Sequence, residues 1–299
     1  EELQAQGGQV RWKENEEMWG DLGRYTINLK GSSYTADSVW FHYESRYSRP
    51  LLGTLKDNAF KYTRGKDVPY PEFVSYGLDV EINDLFKDIH FRGGVAYKGM
   101  KFFGLGTEEH PALLYVVPND SISLKLHSKQ FTIDTARIMS GHSSMEIIMD
   151  GGEITHSNIN FLYAYPQHTV TIKRISEQSL HLPFKDSYHQ ILFDMEEIFW
   201  PLDSNYLEMR MSSRSGLFRA TIESMNFFSD NIYDKIQGMD EINPLNGLLK
   251  CSLLLKKNTF TIADYAGFIK KSADQLRKQV ILLSYDDFVD FNETRDEVT

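Results

Sequence analysis

Leu113-Leu114-Tyr115-Val116-Val117-Pro118-Asn119-Asp120-Ser121-Ile122-Ser123-Leu124-Lys125-Leu126 decides the fold class of this chain. A short apolar run stops at Pro118, which lacks an N–H, and at Asn119 and Asp120, whose side chains bond their own backbone in turns. Ile122, Leu124 and Leu126 then alternate with polar residues, the period of a strand with one face buried. Working outward, the same signature recurs. Tyr25, Ile27 and Leu29 alternate ahead of a Gly31-Ser32-Ser33 turn. Val39 to Tyr43, Val80 to Ile82 and Val95 to Tyr97 read as strands, Met145 to Met149 ends at Asp150-Gly151-Gly152, and Val170 and Ile172 continue the series. Residues 1–23 read as a polar lead-in carrying Trp12 and Trp19.

Composition agrees with a folded, β-rich chain. The 299 residues are 41% hydrophobic and 13% aromatic, with 25% charged, which leaves no compositional case for disorder. The length suggests about two domains. Glu1 is not Met and no charged-then-apolar leader follows it, so the start reads as an artificial boundary or a processed terminus. The net charge of −10 argues against a nucleic-acid binder, which carries a basic face. Cys251 is the single cysteine, so no intrachain disulfide can form. The apolar stretches are far shorter than the roughly 20 residues of a membrane-spanning helix.

Ala96-Tyr97-Lys98-Gly99-Met100-Lys101-Phe102-Phe103 resembles Thr221-Ile222-Glu223-Ser224-Met225-Asn226-Phe227-Phe228, with looser versions at 54–60 and 154–161. A small residue at a corner and a Phe pointing inward would suit the rungs of a β-solenoid. The uneven spacing of the four copies leaves a sandwich-like antiparallel body as the alternative. The expectation is therefore a mostly β body over residues 1–242, stacked-strand solenoid or sandwich-like, with a junction near Ile242.

Residues 243–299 change period. Leu245 to Lys256 reads as a helix, Thr261-Ile262-Ala263-Asp264 as a capping-box start, and Ser272-Ala273-Asp274-Gln275 as another. Leu276, Val280 and Leu283 give one buried stripe. A turn at Asp286-Asp287 and a strand over 288–291 complete the order of a winged-helix module, which this segment resembles. The DNA reading would place Gln275, Arg277 and Lys278 in a groove. Eight Lys and Arg are balanced by eight Asp and Glu over 243–299, however, and the wing is acidic, so a structural or protein-contacting role is preferred.

Pro183-Phe184-Lys185-Asp186-Ser187-Tyr188-His189, Ile198-Phe199-Trp200-Pro201-Leu202-Asp203 and Gly238-Met239-Asp240-Glu241-Ile242-Asn243-Pro244-Leu245 resemble segments of very large, uncharacterised cell-envelope proteins of Bacteroidetes-type bacteria. The resemblance covers roughly residues 120–299. It implies a secreted or envelope setting, periplasm or cell surface, in which this chain is part of something longer. It implies no activity and no catalytic residue.

No catalytic, cofactor or metal pattern emerges. Gly104-Leu105-Gly106 opens like a dinucleotide loop, but Glu109 stands where the third glycine is needed. The histidines are scattered without ligand spacing. Asp194, Glu196 and Glu197 offer the paired carboxylates of glycoside hydrolysis, with Asp194 and Glu196 sharing a face if the segment is one strand. Trp40, Tyr43 and Tyr47 with Arg46 form an aromatic and basic cluster; alternate members are expected in the core, and exposed ones would stack on sugar rings or a partner protein. The expected function is a non-enzymatic structural or protein-interaction fragment of a larger envelope protein, whose partners are other segments of that protein or a neighbour. A carbohydrate-active β-solenoid enzyme and DNA binding through the C-terminal module are the alternatives.

Overall fold

The computed structural model describes residues 2–12, 15–58, 71–99, 101–174, 182–211, 220–225, 236, 243–285, 288–293 and 295–299. The chain divides into two compact units, the larger formed by Glu1–Gln178 with Pro183–Ile222, the smaller by Ser179–Leu182 with Glu223–Thr299. Ile242, where the composition shifts, lies outside the described residues. The protein is mostly β, and no helix among the described residues is long and apolar enough to cross a membrane.

Among the described residues, 21 strands from β1 (Glu2–Gln6) to β21 (Thr221–Ser224) belong to one sheet, all within the larger unit except the last two residues of β21. The stretch from Leu113 to Leu126 forms β11 (Ala112–Val116) and β12 (Ile122–Ser128), antiparallel with Leu114 opposite Leu126. Asn119 Oδ1 accepts from the N–H groups of Ser121 and Ile122, which closes the turn. Three long strands, β9 (Ile89–Lys98), β14 (Arg137–Met149) and β15 (Gly152–Ala164), change partners half-way along. The first half of β9 pairs with β8 (Val80–Phe86) and β11; its second half pairs with β7 (Glu72–Ser75) and β10 (Lys101–Leu105). The change falls at Gly93-Gly94, beneath Gly104, where a Cβ would sit 2.3 Å from the Phe91 ring. Only glycine lets these strands close over that ring.

In β14 the change coincides with a bulge between Ser140 and Ser143. Buried serines take up the polar groups released there: Ser143 Oγ donates to Ser140 Oγ at 2.8 Å, and Ser128 Oγ lies 2.7 Å from Ser140 Oγ and 2.8 Å from the His142 carbonyl. In β15 it falls at Ser157-Asn158, where the Asn158 N–H donates to the buried His156 Nδ1 at 3.0 Å. Between the two rows of strands lies one core in which Phe41, Phe73, Phe91, Leu114, Phe131, Tyr163 and Trp200 are buried. Phe86 of β8 meets Tyr163 of β15 across it, ring centroids 5.7 Å apart.

These pairings are antiparallel, whereas solenoid rungs stack in parallel, so the body is hairpin-built and the solenoid expectation is corrected. The recurring motif shows why it misled. Tyr97 and Phe102 are partners across a hairpin that turns at Gly99, with φ +62°. The copy at Ile154 to Phe161 runs along one strand instead. Similar sequence serves different geometry, because an inward Phe beside a small residue suits either. The copies at 54–60 and 221–228 extend beyond the described residues. The expected lead-in is also corrected: it forms β1, β2 (Gln9–Trp12) and β3 (Asn15–Asp21), with Trp12 and Met18 buried.

From Asn243 onward, the described residues of the smaller unit run helix, strand, helix, helix, strand, strand. Helix α1 (Pro244–Leu255) starts at Asn243, whose Oδ1 accepts from the Leu245 N–H at 3.0 Å, with Pro244 at the first helical position. Strand β22 (Phe260–Thr261) leads into α2 (Ile262–Ile269) through a complete capping box, the Asp264 N–H donating to Thr261 Oγ1 and the Thr261 N–H to Asp264 Oδ2, both at 3.1 Å. Helix α3 (Ala273–Tyr285) buries Leu276, Val280 and Leu283 as the stripe requires. Strands β23 (Phe291–Asn292) and β24 (Glu297–Val298) complete a sheet with β24 in the middle, Val298 opposite both Phe260 and Phe291.

Candidate functional site

The aromatic cluster around Trp40 is split by the strand that carries it. Strand β5 (Ser33–Tyr43) turns Val39, Phe41 and Tyr43 inward and leaves Trp40 and His42 outward, as period-two alternation demands. Tyr47 is buried, its hydroxyl 2.7 Å from that of Tyr97, and burial pushes it well above the ordinary tyrosine value, with the Tyr97 hydroxyl adding to the effect. Arg46 lies over the rings of Tyr43 and Phe102, 6.0 Å from each centroid. Tyr47 is therefore a core residue, and Arg46 and the half-buried Tyr43 pack with it rather than forming an open contact surface. Trp40 is 49% exposed, and among the described residues it has no ring partner.

What surrounds Trp40 on the outward side comes from the segment that reads as lead-in. Directly opposed residues share a face, so the register places Gln9, Asp21, Trp40 and Leu52 in one line across β2, β3, β5 and β6 (Leu51–Asn58). Arg11, Trp19 and His42 form the next line. Trp19 and His42 stack, centroids 3.5 Å apart and planes 7° from parallel, and the Arg11 guanidinium lies 5.4 Å from the Trp19 centroid. Asp21 ties the lines together: Gln9 Nε2 donates to Oδ1 at 2.9 Å, and His42 Nε2 is 3.2 Å from Oδ2. Beyond Leu52, Tyr76 is 53% exposed and reaches across β6, its hydroxyl accepting from the Ser38 N–H at 3.4 Å. The result is an ordered face bearing the open rings of Trp40 and Tyr76, the Arg11 guanidinium, the Asp21 carboxylate, the Gln9 amide and the His42 imidazole, with Glu17 exposed on the same side of β3. It can stack and hydrogen-bond a ligand.

Beneath this face, the buried Asp57 accepts from Trp12 Nε1 at 2.9 Å and from the Tyr34 hydroxyl at 3.1 Å. Desolvation, and then the Asp57 charge, push the Tyr34 hydroxyl far above its usual range, so it stays a donor. This carboxylate pins β2 and β5 to β6 from inside.

The remaining candidates serve structure. Asp194 pairs with Arg174, and Glu197 with Lys173 at 3.0 Å and Arg210 at 3.6 Å. Asp194 ends β18 (Ile191–Asp194) and Glu197 begins β19 (Glu197–Pro201), so the shared strand face expected for Asp194 and Glu196 does not form. His168, with φ +51°, lies between two carboxylates, its Nδ1 2.9 Å from Asp203 Oδ1 and its Nε2 3.3 Å from Asp88 Oδ2, an ion-pair approach without hydrogen-bond alignment. Beside it the buried Tyr163 hydroxyl has no hydrogen-bond partner among the described residues, and burial pushes it up to about 12, with Tyr165, Asp88 and Asp203 adding to the effect. The imidazole contacts its two carboxylates through opposite nitrogens, and no group of three or more His, Cys, Asp or Glu among the described residues could hold a metal ion.

In the smaller unit Gln275 and Lys278 are exposed, but Arg277 is engaged. Its Nε and Nη2 donate to both oxygens of Asp296 at 2.6 and 2.7 Å, and its Nη1 to Asp274 at 2.8 Å. These three residues therefore do not present a common basic surface. Comparison with protein-family models, with curated proteins and with solved structures finds no match to this chain.

Proposed function

We propose that the chain is a non-enzymatic structural and interaction module of a larger secreted or cell-envelope protein, and that its partner sits on the outward face of β2, β3, β5 and β6. The observation that carries this reading is the pair Trp40 and Tyr76, half exposed on one face whose polar neighbours already hold one another in place. Exposed Trp, Tyr and Arg are the residue types over-represented where binding energy concentrates. Of the carboxylates that could serve glycoside hydrolysis, Asp194 is paired with Arg174, and Glu197 with Lys173 and Arg210, which supports a binding role over a catalytic one. The envelope setting rests on the resemblance of residues 120–299.

The smaller unit fits a winged-helix reading through its helix and strand order and its central β24. Its role in this proposal is structural or protein-contacting, because Arg277 is held by two carboxylates. A photo-reactive amino acid placed at position 40 or 76 in the parent protein tests the function. The expected result is a discrete adduct in the envelope fraction, absent when the probe replaces Tyr206 instead. Adducts from neither position, or from all three alike, reject the face as a contact surface.

A further inference from the structure

We propose that the outward face around Trp40 binds a neutral, extended polysaccharide. This names the ligand of the contact face and so rests on the functional reading above. Shape is the first indication. Gln9, Asp21, Trp40 and Leu52 stand on directly opposed positions of adjacent strands, and Tyr76 follows in the same direction. The backbones at Trp40 and Tyr76 are thus two strand spacings apart, roughly 10 Å, and the Tyr76 side chain lies across β6 towards β5, where its hydroxyl meets the Ser38 N–H. That is a flat platform with two rings along a line, suited to a linear chain lying on it.

Chemistry narrows the class. The face of an aromatic ring is electron-rich and attracts the C–H groups that project from the flat sides of a sugar ring. The hydroxyls around a sugar's rim need donors and acceptors beside the stacking surface. Arg11 and Gln9 supply donors, and Asp21 and the Gln9 carbonyl supply acceptors. These groups are already oriented, Gln9 and His42 by Asp21, Arg11 by Trp19 and by Gln9 Oε1 at 3.5 Å. Preorganised polar groups lower the ordering cost of binding.

Charge separates this class from the others. On the outward alternation of β2, β3, β5 and β6, Arg11 and Lys56 are balanced by Asp21 and Glu17, so the face has no net attraction for a polyanion such as an acidic glycan. The centre of a protein–protein interface is depleted of charged residues. Here a carboxylate stands directly opposite Trp40; it is held by Gln9 and His42, and its remaining lone pairs would accept from sugar hydroxyls.

Native affinity electrophoresis of the full chain tests the proposal, in gels containing hydroxyethyl cellulose, mixed-linkage β-glucan, galactomannan or xylan, with polygalacturonate as the charged control. At least one neutral glycan should retard the chain, and added salt should leave that retardation unchanged. Trp40→Ala should weaken binding at least tenfold and Tyr76→Ala several-fold, whereas Tyr206→Ala, exposed after β19 and not on the strands of the face, should bind like the parent. Retardation by no neutral glycan overturns the proposal, as does retardation that Trp40→Ala retains or that occurs only in polygalacturonate and vanishes with salt. If the photo-reactive probe at position 40 still yields a protein adduct while no glycan retards the chain, the contact face stands and its saccharide ligand does not.

Discussion

Asp21 and Asp57 belong to opposite sides of the same few strands and hold comparable sets of neighbours. Asp21 gathers Gln9 and His42 on the outward face; Asp57 gathers Trp12 and Tyr34 on the inward one. The side chain of Asp21 is 43% exposed, and Asp57 as a whole is 6% exposed. Water competes for every bond that Asp21 makes and for almost none that Asp57 makes. Equal geometry therefore carries unequal energy: the inward carboxylate fixes the frame, and the outward one leaves its surroundings ordered yet available to a ligand.

The apolar neighbours should show the widest gap. Phe41 is fully buried and stacks on Phe73 at 4.4 Å, so Phe41→Ala should lower unfolding free energy by ~3–5 kcal/mol. Trp40→Ala, one residue earlier, should change it by no more than ~0.5 kcal/mol. Urea unfolding of both variants measures the difference. If Trp40→Ala costs as much as Phe41→Ala, the outward face is part of the frame and the division between the two sides breaks.

Next comes the carboxylate pair itself. Asp57→Ala strands the Trp12 indole N–H and the Tyr34 hydroxyl in the interior, at ~1–3 kcal/mol for a buried donor left unpaired. Asp21→Ala removes bonds of the same length from a solvated position and should cost at most ~1 kcal/mol. The same denaturation curves decide, and comparable losses would mean that exposure does not govern what these bonds contribute.

This division is only partly legible in the sequence, for a physical reason that β5 illustrates. Ala36 and Val39 are both inward, with Asp37 and Ser38 exposed between them, because a bulge with Ser38 at φ +60° shifts the alternation by one residue. Nothing local to Asp37 and Ser38 announces that shift, so alternation counted from Tyr34 and Ala36 would put Trp40 inward, and only counting within Val39 to Tyr43 gives the observed faces. Gln9, Arg11 and Asp21 escaped notice, and Trp19 was read only as part of a lead-in, because short strands with mostly polar outward residues read like a tail. Their signal was the buried alternates, Trp12 and Met18. Pairing sense was hidden too, since a Phe beside a small residue fits a hairpin as well as a rung. By contrast, the Thr261–Asp264 box and the Leu276, Val280, Leu283 stripe were readable, because helix signals are closed within a few residues.

Asp296 in the smaller unit lies between the two aspartates of the body in exposure, with a side chain 33% accessible, and it gives the smallest effect. The bidentate hydrogen bonds from Arg277 outweigh its desolvation and hold its carboxyl below the ordinary range. A carboxyl depressed in the folded state adds stability above its unfolded value, about 3.9, and loses it as pH falls through the lower folded value. Asp264 behaves alike, held down by Thr261 of the capping box. Thermal unfolding of the smaller unit should therefore shift to lower temperature on acidification below about pH 4. Asp296→Asn should flatten that response and cost no more than ~1 kcal/mol near neutrality, because solvent screens a pair this exposed. The Asp264 contribution should remain. An unchanged acid response in Asp296→Asn would mean that the clamp from α3 onto the turn before β24 carries no stability, and that intermediate exposure already places a carboxylate with Asp21 rather than with Asp57.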